Sequence, residues 1–166
     1  MKRNLERYLV RKFPLCFGDY GKSPKENLMA FGLEVGDGWY KIIKTACEKA
    51  EPIIAKWIEE HKHEKDYKNW APKFAQVKEK LGSLRLYFTT YPDGIEAIER
   101  EAEEKSETTC ETCGAYGEIR GESWLYCACY QHSKPEDRKN LEYLEMKYKE
   151  QKQNGKTRSK LHHKTK

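Results

Sequence analysis

The sequence predicts an α+β fold: a small domain in which a long kinked helix packs a β-hairpin, joined to a zinc-knuckle (zinc-ribbon-like) module and a C-terminal helix. Three observations carry this expectation. Apolar residues recur at spacings of three and four from Trp39 to Ile58. Apolar and polar residues alternate through Phe74–Lys80 and Leu84–Thr90, on either side of Gly82. Two pairs of soft metal ligands, Cys110-x-x-Cys113 and Cys129-x-x-His132, have fifteen residues between them. The first pattern is that of an amphipathic helix and the second that of paired strands. The third is the spacing at which two tight turns grip one tetrahedral ion.

In chain order, Asn4 is a candidate cap for a first helix whose face carries Leu5, Tyr8 and Leu9. Phe13-Pro14 ends it, since proline disfavours helix in the residue before it. Residues 15–30, with Gly18, Gly21, Ser23 and Pro24, read as loop.

Gly36-Asp37-Gly38 reads as a turn with Asp37 capping the long helix. The stripe of that helix is Trp39, Ile42, Ile43, Ala46, Cys47, Ala50, Ile53, Ile54, Trp57 and Ile58. Pro52 falls inside it without breaking the apolar phase, which predicts a kink rather than two helices. The polar run 59–68 is its exit, and places His61 and His63 at an exposed helix end.

In the hairpin, Leu84, Leu86 and Phe88 share one face with Ala75 and Val77. Gln76, Lys78, Lys80, Arg85 and Tyr87 share the other. Glu79 falls on the apolar face, a fault that calls for a sheet end or a partner. After the Pro92-Asp93-Gly94 turn, Ile95, Ile98 and Ala102 form one stripe of an acidic helix ending near Ser106. Ser133-Lys-Pro-Glu136 has the form of a capping box for a last helix. The expected organisation is a body over 1–107, a zinc module over 108–133, a C-terminal helix over 134–153 and a basic disordered tail over 154–166.

Composition narrows the class. With 37% hydrophobic and 36% charged residues the core must be modest, and a bound metal would assist it. The formal charge of +5 resides in the tail, where Lys156, Arg158, Lys160, Lys164 and Lys166 meet no acid. The first 154 residues therefore sum to zero, and a basic body is excluded. No apolar run approaches the ~20 residues of a membrane span, and no apolar segment of a signal peptide opens the chain. Six cysteines in a reducing cytoplasm point to metal rather than to disulfides.

The expected metal ligands are Cys110, Cys113, Cys129 and His132, holding structural Zn2+. If Trp124–Cys129 is a strand, Cys127 points to the same side as Cys129, and a four-thiolate site with Cys127 in place of His132 is the alternative. His132 is preferred because Cys-x-x-His repeats the two-residue bite of the first pair. Four protein ligands leave no open coordination position, and no glutamate is placed as in a zinc deaminase, so a catalytic ion is not expected.

The polar hairpin face, Gln76, Lys78, Lys80, Arg85 and Tyr87, together with Asp37 and Trp39, is the candidate contact surface. Cations flanking an aromatic suit a phosphate backbone or a nucleotide. The same residues equally suit a solvated sheet face, where lysine deters edge pairing. Gln76-Val77-Lys78 is similar to half of a metal-dependent nuclease motif with Asp37 as the distant acid. The tail offers a means of neutralising polyanions, including nucleic acid. No phosphate-cradling glycine loop, His-Glu-x-x-His or Gly-x-Ser-x-Gly is present.

Three blocks in order carry a resemblance over residues 13–132. They are Gly36-Asp37-Gly38-Trp39, then Gln76-Val77-Lys78-Glu79-Lys80-x-Gly82-x-Leu84-Arg85-x-Tyr87, then Cys110-Glu111-x-Cys113-Gly114 with Trp124 and Cys129-x-x-His132. Together they resemble a family of uncharacterised proteins encoded by phages and prophages. Cys127 departs from that pattern, where a small hydroxyl or apolar residue is usual. The resemblance implies an accessory protein acting in a bacterial cytoplasm. It implies no reaction. Such proteins commonly antagonise host defence, so the expected partner is a host defence protein or a nucleotide signal. Assembly of several copies is compatible with this.

Overall fold

The computed structural model describes residues 1–138. The chain divides into two compact units, Met1–Cys129 and the chain from Tyr130 onward. The first has an α+β architecture, as its patterns predict.

Helix α1 spans Arg3–Lys12 and buries Glu6 and Leu9. Its cap position is Lys2, which makes no side-chain cap, and Asn4 lies inside the helix rather than ahead of it. Phe13 closes the helix, as the Phe13-Pro14 pair predicts. Two short 3-10 turns, Leu28–Phe31 and Asp37–Trp39, flank strand β1, Leu33–Glu34. Helix α2, Tyr40–His61, runs unbroken through Pro52 and buries Ile42, Ile43, Ala46, Cys47, Ala50, Ile54 and Trp57. At its end the His61 ring stacks on Trp57 with centroids 4.0 Å apart, and Trp70 meets Trp57 edge-on. Trp70 belongs to a single turn, α3, Tyr67–Trp70, within a stretch whose polarity gave no helical signal.

The sheet has three strands in the order β1-β2-β3, with β2 Phe74–Lys80 and β3 Ser83–Phe88. β2 and β3 are antiparallel, with Val77 opposite Leu86 and Lys78 opposite Arg85. Leu81 and Gly82 both adopt positive φ, 54° and 81°. That is the backbone of a two-residue hairpin turn whose twist matches that of its strands. β1 adds in parallel to the other side of β2, pairing Leu33 with Val77. Two residues are too short to leave a period in the sequence, so this strand is visible only in the fold. Glu79 finds the partner its position demands: its carboxylate accepts the Gly82 N–H at 2.7 Å and ties down the turn.

Helix α4, Ile95–Ser106, buries Ile95, Ile98, Ala102 and Ser106. It packs on both β3 and α2, so the long helix reaches the sheet largely through α4. The Ser106 hydroxyl accepts the Leu84 N–H at 2.8 Å and donates to the Glu103 carbonyl. Apolar side chains of α1, α2, the sheet and α4 form one core, with Trp39, Phe74, Ile43 and Leu84 fully buried. Glu6 sits at its edge and accepts the Leu33 N–H at 3.2 Å. The buried Lys73 is neutralised by Asp19 at 3.2 Å. A two-stranded sheet, β4 Glu118–Arg120 with β5 Tyr126–Ala128, completes this unit.

In the second unit, Tyr130–His132 form a 3-10 turn. The Arg138 guanidinium donates to the Ser133 and Gln131 carbonyls. Residues 135–138 are helical, where the capping box predicts a helix start. The rest of the expected C-terminal helix, 139–153, and the expected tail, 154–166, lie outside the described residues.

Candidate metal centre

The first ligand pair lies in a tight knuckle between α4 and β4. The Gly114 N–H donates to the Cys110 carbonyl and the Cys110 N–H to the Ala115 carbonyl, each at 2.8 Å. Gly114 takes φ 76°, the conformation that lets the chain double back after Cys113 and that glycine adopts without strain. The Glu111 N–H donates to the Cys127 carbonyl at 3.1 Å, which fixes the knuckle beside β5 and so beside Cys129.

The Cys113 and Cys129 sulfurs are 3.8 Å apart. A disulfide would bring them to about 2 Å. Two thiolates on one tetrahedral ion, with metal–sulfur bonds of about 2.3 Å, stand about 3.8 Å apart. The ligand atoms of Cys110, Cys113, Cys129 and His132 all lie within 4.8 Å of one another. Three thiols and an imidazole at these separations could hold a metal ion.

The polar surroundings favour thiolate at Cys110. Burial opposes ionisation there, but the N–H groups of Cys129, Cys113 and Thr112 directed at its sulfur outweigh it and bring the thiol down to about 6. Cys127, the alternative fourth ligand, is absent from the cluster. Its thiol is buried, donates to the Glu107 carbonyl at 3.3 Å, and is pushed up to about 11, chiefly by burial.

The most informative contacts join this knuckle to the turn ahead of α2. The Gly38 N–H donates to the Glu111 carbonyl at 2.7 Å, and the Gly36 N–H to the Glu111 carboxylate at 2.8 Å. A Cβ at Gly38 would stand 2.1 Å from the Cys110 carbonyl oxygen, and one at Gly36 would stand 2.3 Å from that of Glu111. Neither glycine is there for positive φ; both are there for close approach. The Trp39 indole N–H donates to the Thr109 carbonyl at 2.7 Å. The Gly-Asp-Gly-Trp and Cys-Glu-x-Cys-Gly blocks therefore form one latch. Glu111 and Thr109 are the residues that sequence reasoning passed over; the paired glycines were the available signal.

The candidate contact residues are placed as follows. Trp39 is fully buried, so it presents no surface to a partner. Asp37 does not cap α2; its carboxylate accepts the Lys2 N–H at 2.6 Å and pairs with the Lys2 ammonium at 3.1 Å. Gln76 is bonded to Glu34 at 3.1 Å, so Glu34, not Asp37, is the acid beside the Gln76-Val77-Lys78 strand. Arg85 is paired with Glu103 of α4. Lys78 lies over the Tyr87 ring at 5.7 Å, and Lys80 is exposed. The polar face is thus partly neutralised from within.

No protein-family model, curated protein or solved structure matches the chain. No helix among the described residues is long and apolar enough to cross a membrane.

Proposed function

We propose that the protein is a non-catalytic binding protein of phage origin that occupies a component of the host's defence, and that its Cys3His cluster holds a structural zinc ion. The observation that carries the structural-metal reading is the closed ligand set. Four protein donors lie together, and on a zinc ion they would complete a tetrahedral shell with no position for a reacting water. Three sulfurs with one imidazole are the donor chemistry of structural zinc. The latch adds support, because an ion gripping the knuckle also steadies the turn that begins α2. The phage and host-antagonist part of the reading is supported by the resemblance of the three sequence blocks.

The contact surface fits an apolar patch flanked by lysine. The β2–β3 turn lies against the β4–β5 hairpin: a Cβ at Gly82 would stand 3.1 Å from the Ile119 side chain. Leu81 and Ile119 are both exposed near this junction, and Trp124, in the turn between β4 and β5, is 73% exposed. Exposed aromatic and aliphatic side chains of this kind mark interaction sites. Lys80 adjoins Leu81 and supplies the charged rim.

Native mass spectrometry of protein purified from a bacterial lysate tests the whole reading. It should give one zinc ion per chain and a retained host component that is lost with Trp124→Ala. Absence of stoichiometric zinc, or retention that ignores Trp124, overturns it.

A further inference from the structure

A second group of charges, none of them in the Cys3His cluster, lies on α1. Arg3, Arg7 and Arg11 recur every four residues, so one helix face carries all three, and all three are exposed. Beside them is a cavity of about 290 Å³ lined by Asn4, Arg7, Val10, Arg11 and Tyr20. That volume is close to the lower bound, about 300 Å³, of pockets that enclose small ligands.

The charge on this face is not balanced from within. Among the described residues none of the three arginines forms an ion pair, whereas Lys2, Lys12 and Lys22 each have one. No described acid lines the cavity; Glu6, beside Arg7 in sequence, is buried. Its carboxylate accepts the Leu33 N–H at 3.2 Å. Asp19, the residue before Tyr20, is engaged by Lys22 and Lys73. Arg7 and Arg11 therefore line the cavity with no described carboxylate in its wall. Like charges one helical turn apart repel, and an anion held between them relieves that repulsion.

We propose that this cavity binds a nucleotide, with a phosphate group between Arg7 and Arg11 and a flat ring against Tyr20 and Val10. The guanidinium fork matches two phosphate oxygens at once, and two forks one turn apart bracket a single phosphate. The half-buried Tyr20 side chain forms one wall of the cavity. The Asn4 amide at the rim offers both a donor and an acceptor, which is what the edge of a base requires. This assignment rests on the binding-protein reading, but it uses no metal ligand and no residue of the apolar patch, so the two fail separately.

The test is calorimetric titration of the full-length, zinc-loaded protein with ribonucleoside 5′-monophosphates, inorganic phosphate and a short single-stranded oligonucleotide. A monophosphate should bind once per chain and about tenfold more tightly than inorganic phosphate, because the ring adds contacts that phosphate lacks. Arg7→Ala and Arg11→Ala should each weaken it about tenfold. Arg7→Lys should restore only part of the loss, since an ammonium keeps the charge without the fork. Zinc content and melting temperature should be unchanged in these exposed variants, which separates lost binding from lost folding. No saturable binding, or equal affinity for phosphate and nucleotide, overturns the proposal. So does an oligonucleotide that binds far more tightly than any monophosphate with a steep dependence on salt, which would assign the face to a nucleic-acid backbone.

Discussion

The Gly38 N–H donates to the Glu111 carbonyl oxygen at 2.7 Å, across 73 residues of sequence, and there is no room for a side chain between the two. This contact joins the helix start to the cysteine knuckle and explains why the two blocks accompany each other in one chain. Gly38→Ala should therefore cost about 3 kcal/mol, the range of overpacking against backbone that cannot retreat. Denaturant unfolding measures it. An alanine tolerated at Gly38 without loss would mean that the latch does not hold the knuckle.

The candidate metal cluster predicts a contrast between two thiols, one inside it and one outside. Cys113→Ala should abolish stoichiometric metal, and a chelator should lower the melting temperature of the wild type toward that of the variant. Cys127→Ala should keep the metal, because that thiol is hydrogen-bonded to Glu107 rather than directed into the cluster. Metal lost from the Cys127 variant and retained in the Cys113 variant would reverse the ligand assignment.

Trp39→Phe keeps an aromatic ring in the core and removes one donor. The Thr109 carbonyl then loses its partner at 2.7 Å. The expected loss is about 1–2 kcal/mol, that of an unsatisfied acceptor in a part-buried site. An unchanged midpoint in urea would show that water replaces the indole there.

Asp19 gives a pH signature. Burial raises its carboxyl, but hydrogen bonds from Lys22 and Lys73, with their charges, outweigh that and hold it below the usual value of 3.8. A depressed carboxyl stabilises the fold above its unfolded value, and that contribution fades as pH falls through the folded one. Asp19→Asn should therefore destabilise by about 3 kcal/mol at neutral pH, since it leaves the buried Lys73 without its counter-charge. The gap between wild type and variant should close as pH drops below 3.8. A gap independent of pH would assign the effect to packing.

Local repetition in the chain is enough to specify several elements. The stripe from Ile42 to Trp57 specified one long helix, and Ile95, Ile98 and Ala102 specified α4, because each pattern is a face that must be buried. Alternation about Gly82 fixed the hairpin and which of its faces is core. The two x-x spacings named the four residues of the cluster, because a turn of that length aims both side chains at one point. Whatever depends on residues meeting across the chain emerged only in the folded molecule. The fold left Cys127 outside the Cys3His cluster, with its thiol donating to the Glu107 carbonyl. It buried Trp39, paired Arg85 with Glu103 and bonded Gln76 to Glu34, leaving much of the expected contact face occupied. It also left the arginines of α1 beside a cavity with no described acid to pair them. Period and spacing record what a residue's near neighbours impose; they carry no record of which distant backbone it will be pressed against.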